Sequence, residues 1–124
     1  MLARRPREDA DAGMVTAEIA AALPALMVLL GAALTAVAVV GGQLACVDAA
    51  REAARAAARG EPAVVVQQLG HATAPSGARI VVMPAGADVR VEVWATVHPI
   101  GGLLPGFDVS ATAVALAEPS GGVP

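Results

Sequence analysis

The sequence predicts an α+β fold: a long N-terminal, transmembrane α-helix followed by a small head with a short helix and a three-stranded antiparallel β-sheet. Three observations predict it. Between Ile19 and Val47 there is no Asp, Glu, Lys, Arg or His, and such a run is long enough to cross a bilayer as a helix. Residues 48–59 continue it almost purely with helix-forming Ala, Arg and Glu. Beyond Pro75 the apolar residues switch to a period of two, the pattern of half-buried strands.

Composition bounds the rest. At 124 residues the chain has room for one domain at most. Beyond Arg59 only residues 60–124 remain, a length at which a lone hydrophobic core is marginal. Partners or the membrane are therefore expected to supply part of the stability. The chain is 56% apolar but only 2% aromatic, with no Tyr, one Phe and one Trp. That favours close helix packing and strands over a pocket lined by rings. The net charge is −3, and the arginines are dispersed rather than massed. No basic patch for nucleic acid is visible. Cys46 is the only cysteine, so an internal disulfide and a multi-thiolate metal site are both excluded.

Residues 1–13 read as a cytoplasmic leader. The stretch is polar, contains Pro6 and lacks periodicity, so it is expected to be disordered or removed. Arg4, Arg5 and Arg7 lie in the window where basic residues hold a flank in the cytoplasm. The head should then be extracytoplasmic, although Arg51, Arg55 and Arg59 compete from the far side.

Residues 14–60 are expected to form one helix, spanning the membrane over about 19–47 and continuing outside it over 48–60. At ~1.5 Å per residue the uncharged run gives roughly 43 Å, more than the ~30 Å hydrocarbon core requires. An ordinary secretory signal has a much shorter apolar region. Pro24 should kink this helix by removing one backbone bond. Gly31, Gly41 and Gly42 add softness and permit close helix approach. Ala21, Ala25, Ala32 and Ala36 recur at spacings of four or seven, as in a packing face; an Ala-rich helix also shows such spacings by chance. Arg51, Arg55 and Arg59 fall four apart on one face, with Asp48 and Glu52 placed for i,i+3 ion pairs. This stripe reads first as a solvated face and second as a surface for acidic headgroups or a partner subunit. Gly60, Glu61 and Pro62 supply the stop.

Residues 61–118 form the expected head. A short helix over 62–74 opens at Pro62, with Val65, Leu69 and Ala72 as its apolar face, and Pro75-Ser76-Gly77 turns the chain. Ala78–Met83 is a first strand and Pro84–Asp88 a loop of hairpin length. Asp88–Val97 alternates cleanly, with Val89, Val91, Val93, Ala95 and Val97 opposite Arg90, Glu92, Trp94 and Thr96. His98–Gly106 is a Pro/Gly loop with an apolar tip at Leu103-Leu104. Phe107–Ala117 is a third strand, and 119–124 a disordered tail. Three strands against a helix are about the minimum for a stable unit.

Residues able to carry chemistry are few. His71 and His98 have no sequence partner that would make either a catalyst or a ligand, and both read as surface or loop histidines. No phosphate loop, CxxC or serine elbow occurs; no catalytic activity, cofactor or metal is expected. Leu44-Ala45-Cys46 invites a lipoprotein reading, but Gln43 occupies the place where a lipobox needs an apolar residue. A buried or interfacial thiol is the better reading of Cys46.

One constellation is specific. Asp11-Ala-Gly-Met-Val-Thr-Ala-Glu-Ile-Ala-Ala-Ala-Leu-Pro-Ala-Leu, the apolar helix after it and the Arg/Glu/Ala-rich continuation to Arg59 resemble the TadE-like family of tight-adherence (type IV-like) pilins, in its short actinobacterial form. The resemblance covers about residues 9–60. It implies cleavage by a prepilin peptidase after Gly13, with Met14 as the new N-terminus and Glu18 as the fifth mature residue. The leader here ends in Asp-Ala-Gly rather than a basic run, a departure from the family pattern. Cleavage would place a free amine on Met14 one helical turn from the Glu18 carboxylate. In a filament the carboxylate could instead meet a neighbour's amine, making Glu18 a register key; otherwise it is a carboxylate reaching back to water at the membrane edge. The expected function is a structural or assembly component of a tight-adherence pilus, with the membrane, the peptidase, other pilin subunits and the assembly platform as partners. Neither nucleic acid nor a small-molecule substrate is expected. The alternative is a single-pass accessory protein of a secretion or cell-envelope system that never polymerises.

Overall fold

Ala, Leu and Val uninterrupted by charge give the backbone no competitor to its own i→i−4 hydrogen bonds, and the first element of the fold is long. The computed structural model describes residues 8–119, with the elements α1 (Glu8–Ala58), α2 (Ala63–Thr73), β1 (Arg79–Ala85), β2 (Asp88–Val97), a short 3-10 turn (Pro99–Gly102) and β3 (Phe107–Leu116). The fold is α+β, a long apolar N-terminal helix with a short helix and a three-stranded antiparallel sheet of order β1-β2-β3.

The chain divides into two units, one up to Leu34 and one from Thr35 onward. The first consists of the N-terminal part of α1, exposed at every position from Asp9 to Leu34 but Gly31, which is half-buried. Val28, for example, is 74% exposed. A helix apolar on all sides and uncovered by its own chain suits a nonpolar surrounding. Among the described residues α1 alone is long and apolar enough to cross a membrane, with a mean hydropathy of 2.4 in its most apolar window. It is consistent with a single-pass membrane protein.

The start of α1 differs from expectation. The helix begins at Glu8 rather than Met14, so residues 8–13 are ordered as helix. Asp9 and Asp11 lie near its positive end, where acidic side chains are favoured, and Ala10 and Ala12 are strong helix formers. Residues 1–7, with the three leader arginines, and most of the expected tail lie outside the described residues. The helix runs through Pro24 without interruption. At its other end α1 closes with a six-residue cap. Gly60 has φ +77°, its N–H donates to Ala57 O at 3.0 Å, and the Glu61 N–H donates to Ala56 O at 3.2 Å. This is the Schellman arrangement, which glycine adopts without a Cβ penalty.

The second unit builds its core between α1 and the sheet. Cys46, Ala49, Ala50, Ala53, Ala54 and Ala56 are almost completely buried, at the i, i+3, i+4, i+7 spacing of a single helix face. Against them pack Val66 of α2, Ile80 of β1, Val91, Val93 and Ala95 of β2, and Val109 of β3. Full burial of Val91 and Val93 is worth about 1.5–3 kcal/mol each. The head therefore begins inside α1, well before residue 61. Gly42, Gln43 and Cys46, expected within the membrane span, already pack on the sheet: a Cβ on Gly42 would collide with the Val97 side chain. Gly42 serves close approach of a strand rather than of another helix.

Within the head, β2 has the expected limits and the expected faces. Val91, Val93 and Ala95 are buried, whereas Arg90, Trp94 and Thr96 are exposed. Elsewhere the details move. Val66 and Gly70 are the buried residues of α2, while Ala72 is exposed, so the inner face lies one residue away from the expected Val65-Leu69-Ala72. The reason is Gly70. A Cβ there would stand 2.5 Å from Ile80 Cδ1 and 3.4 Å from Ala53 Cβ, so a larger residue would force the buried Ile80 side chain to move. The hairpin loop is shorter than expected. Pro84 pairs with Val89 and Ala85 with Asp88, leaving a two-residue turn with Gly86 at φ +68°. Proline is tolerated because β1 is an edge strand and needs no outward donor.

Candidate functional site

Gly13, Met14 and Glu18 lie within the first three turns of α1. Nothing comes within 4 Å of a Cβ built on Gly13, and Met14 is 65% exposed. Glu18 is exposed too, one turn beyond Met14 on the same face. The Thr16 hydroxyl donates to Ala12 O at 2.9 Å, back-bonding across the Gly13–Met14 peptide. That peptide is helical in the intact chain. A protease that reads an extended backbone must unwind this turn, and Gly13 lowers the cost by about 1 kcal/mol relative to alanine. Six residues beyond Glu18, Pro24 cannot donate to the carbonyl of Ala20, so the backbone is weakened again just inside the apolar run.

The arginine stripe belongs to the second unit. Arg51, Arg55 and Arg59 are all exposed. Arg55 pairs with Glu52 at 3.1 Å as its spacing implies, whereas Arg59 reaches Glu61 at 3.9 Å. Among the described residues Asp48 and Arg51 form no ion pair with each other. The stripe is not wholly a convex solvated face: Asp48, Arg51, Glu52 and Arg55 line one wall of a shallow groove of about 530 Å³, closed by Thr73 and Ala113–Ala115. Exposed pairs of this kind contribute a few tenths of a kcal/mol.

Cys46 is fully buried as a free thiol in the head core. His71 and His98 are both exposed, and among the described residues no three His, Cys, Asp or Glu side chains gather as metal ligands.

One residue has a role its sequence position did not suggest. The Gln43 side-chain amide donates to Ser110 O at 2.6 Å and accepts from Ser110 N–H at 3.2 Å. It thus satisfies both outward backbone groups of one residue on the edge strand β3. At the opposite end of the head, the Glu118 N–H donates to Ala58 O at 3.0 Å, a carbonyl in the last turn of α1 that has no intrahelical donor. β3 therefore runs in the same direction as α1, fastened at both ends.

A protein of Mycobacterium tuberculosis named apoptosis inhibitor Rv3655c is 39% identical to this chain over 102 residues, spanning 82% of this chain and 78% of the relative. The chain belongs to the family of that protein. No family model matches the chain, and no solved structure matches it.

Proposed function

We propose that this protein is a structural or assembly component of a tight-adherence, type IV-like pilus, a TadE-like minor pilin or pseudopilin. The observation that carries the reading is the placement of Gly13, Met14 and Glu18 at the open mouth of a single apolar helix that carries a small α+β head. In this reading the N-terminus is cytoplasmic and the head extracytoplasmic. A prepilin peptidase cuts after Gly13, and α1 serves first as membrane anchor and then as the packing core of a filament with other pilin subunits.

Glu18 has a defined task here. Inside a bundle of apolar helices its carboxylate needs a cation, and the Met14 amine freed by cleavage is the nearest source, in its own chain or a neighbour's. A register that leaves Glu18 unpaired costs about 3–5 kcal/mol, enough to select one stagger over others.

Mass spectrometry of the mature N-terminus, in cells with and without the peptidase, tests processing. Met14 is the expected first residue only where the peptidase is present; an N-terminus at Met1 or Leu2 in both sinks the idea. For Glu18→Gln the expected result is processed protein that accumulates in the membrane and is lost from sheared fibres. Unchanged fibre content rejects the register role. The rival, a single-pass accessory protein that never polymerises, requires all of the protein to stay in detergent-extracted membranes and none in sheared surface material.

A further inference from the structure

We propose that the β2–β3 loop, Pro99–Phe107, is a second membrane contact that seats the head on the lipid surface from which α1 emerges. The proposal rests on the reading of α1 as membrane-spanning, and needs neither cleavage nor a filament.

The loop's composition is the first observation. Pro-Ile-Gly-Gly-Leu-Leu-Pro-Gly-Phe has no ionisable or hydrogen-bonding side chain, although surface loops are ordinarily rich in polar turn residues. Its large side chains point outward: Leu103 is 83% exposed, and Ile100, Leu104 and Phe107 are exposed as well.

Position is the second. Ser110 is held beside Gln43 and Glu118 beside Ala58, so following β3 backward from Ser110 descends α1 toward its apolar run. Val97, the partner of Phe107 across the sheet, packs on Gly42, so the loop beyond this pair extends toward Val40 and Val37. Ala38 and Val39 are half-buried on this side, whereas Val37 and Val40 are exposed. The medium that surrounds Val37 and Val40 therefore also bathes the loop, and for an uncharged apolar helix that medium is lipid.

The third observation is that the loop is built rather than slack. The Thr96 hydroxyl donates to the Asp108 carboxylate at 2.9 Å across its base, and Pro99, the first residue of the loop, is buried. Ile100, Gly101 and Gly102 all have positive φ, with Ile100 at φ 54°, ψ 50°. A β-branched residue rarely accepts this left-handed geometry, and here the resulting bend leaves the Ile100 side chain exposed. His98 and Asp108, both exposed, bracket the apolar residues at headgroup height. Irregular backbone cannot enter the hydrocarbon core, because its amides would go unsatisfied. The loop accordingly sits at the boundary between headgroups and acyl chains, in the manner of an interfacial anchor.

The test uses the full chain with Cys46→Ala, reconstituted in phosphatidylcholine/phosphatidylglycerol vesicles. Single cysteines at Leu103→Cys, Leu29→Cys and Ala87→Cys carry an environment-sensitive fluorophore. Quenchers are iodide in the water and lipids spin-labelled at shallow or deep acyl positions. Position 103 is expected to be quenched by the shallow spin label about twofold or more over position 87 and to be shielded from iodide, as an interfacial depth of about 5–10 Å requires. Iodide quenching at 103 equal to that at 87, with position 29 quenched by lipid, overturns the loop contact while leaving the membrane span intact. Shielding of 103 from both quenchers means a protein surface covers it, and rejects lipid as the occupant. A position 29 untouched by lipid quenchers removes the span, and the loop contact with it.

Discussion

Gln43 lends β3 a hydrogen-bonding partner that an edge position denies it. An unpaired strand edge invites association with other strands, and at Ser110 one amide side chain blocks that by presenting a donor and an acceptor together. Gln43→Ala should cost about 1 kcal/mol, read as a lower denaturation midpoint in detergent micelles and faster amide exchange at Ser110. Gln43→Glu should be no better, since a carboxylate has no proton to offer the Ser110 carbonyl. An unaltered exchange rate at Ser110 in either variant would show that the bridge is incidental. Such a contact, 67 residues apart in the chain, leaves no trace in local pattern. The Met14–Glu18 spacing, by contrast, is local, and an i, i+4 pair on a helix shares a face.

At the scale of the elements, legibility followed how much of the information was periodic. β2 could be read residue by residue, because alternation over ten positions leaves one choice of inner face. The α2 face could not, because Gly70 counts as neither apolar nor bulky in a pattern yet marks the closest approach of the helix. Pro84 signalled a loop but lies in β1, since an edge strand forgives a missing donor. The end of α1 was legible from Gly60 and the Glu61-Pro62 that follows it. Gly60→Ala should cost about 1–2 kcal/mol, because the left-handed φ of +77° brings a Cβ against the next carbonyl. Nothing within 4 Å would obstruct that Cβ, so the whole effect is conformational. Thermal melts followed by circular dichroism should show it, and a loss below about 0.3 kcal/mol would mean that the cap relaxes to another form.

For the molecule as a whole, the sequence suggested a head that starts after the helix stops, whereas half of the head's core is the helix. Residues 60–119 as an isolated fragment should be unfolded, with exchange-averaged amide spectra, because the inner face of the sheet would have only α2 to cover it. Residues 35–119, which retain Cys46 to Ala58, should give dispersed spectra in mild detergent. A folded 60–119 fragment would disprove the dependence on α1. Pattern alone could not reveal this division: Asp48–Arg59 advertises its arginines, while the alanines opposite look like mere helix formers until a sheet is placed against them.

That alanine face has a consequence for how the family can vary. Cys46, Ala49, Ala50, Ala53, Ala54 and Ala56 hold the sheet close by being small, so hardly any substitution there removes volume and nearly all add it. Drift on this side of the core is one-sided: each accepted change would wedge the layers apart by a methyl group or more. The valines of β2 can shrink in response, but the alanines cannot shrink in return. Within homologues that keep this packing, variation should therefore collect in the sheet and spare the helix. The quietest-looking stretch of α1 would then be the slowest to change.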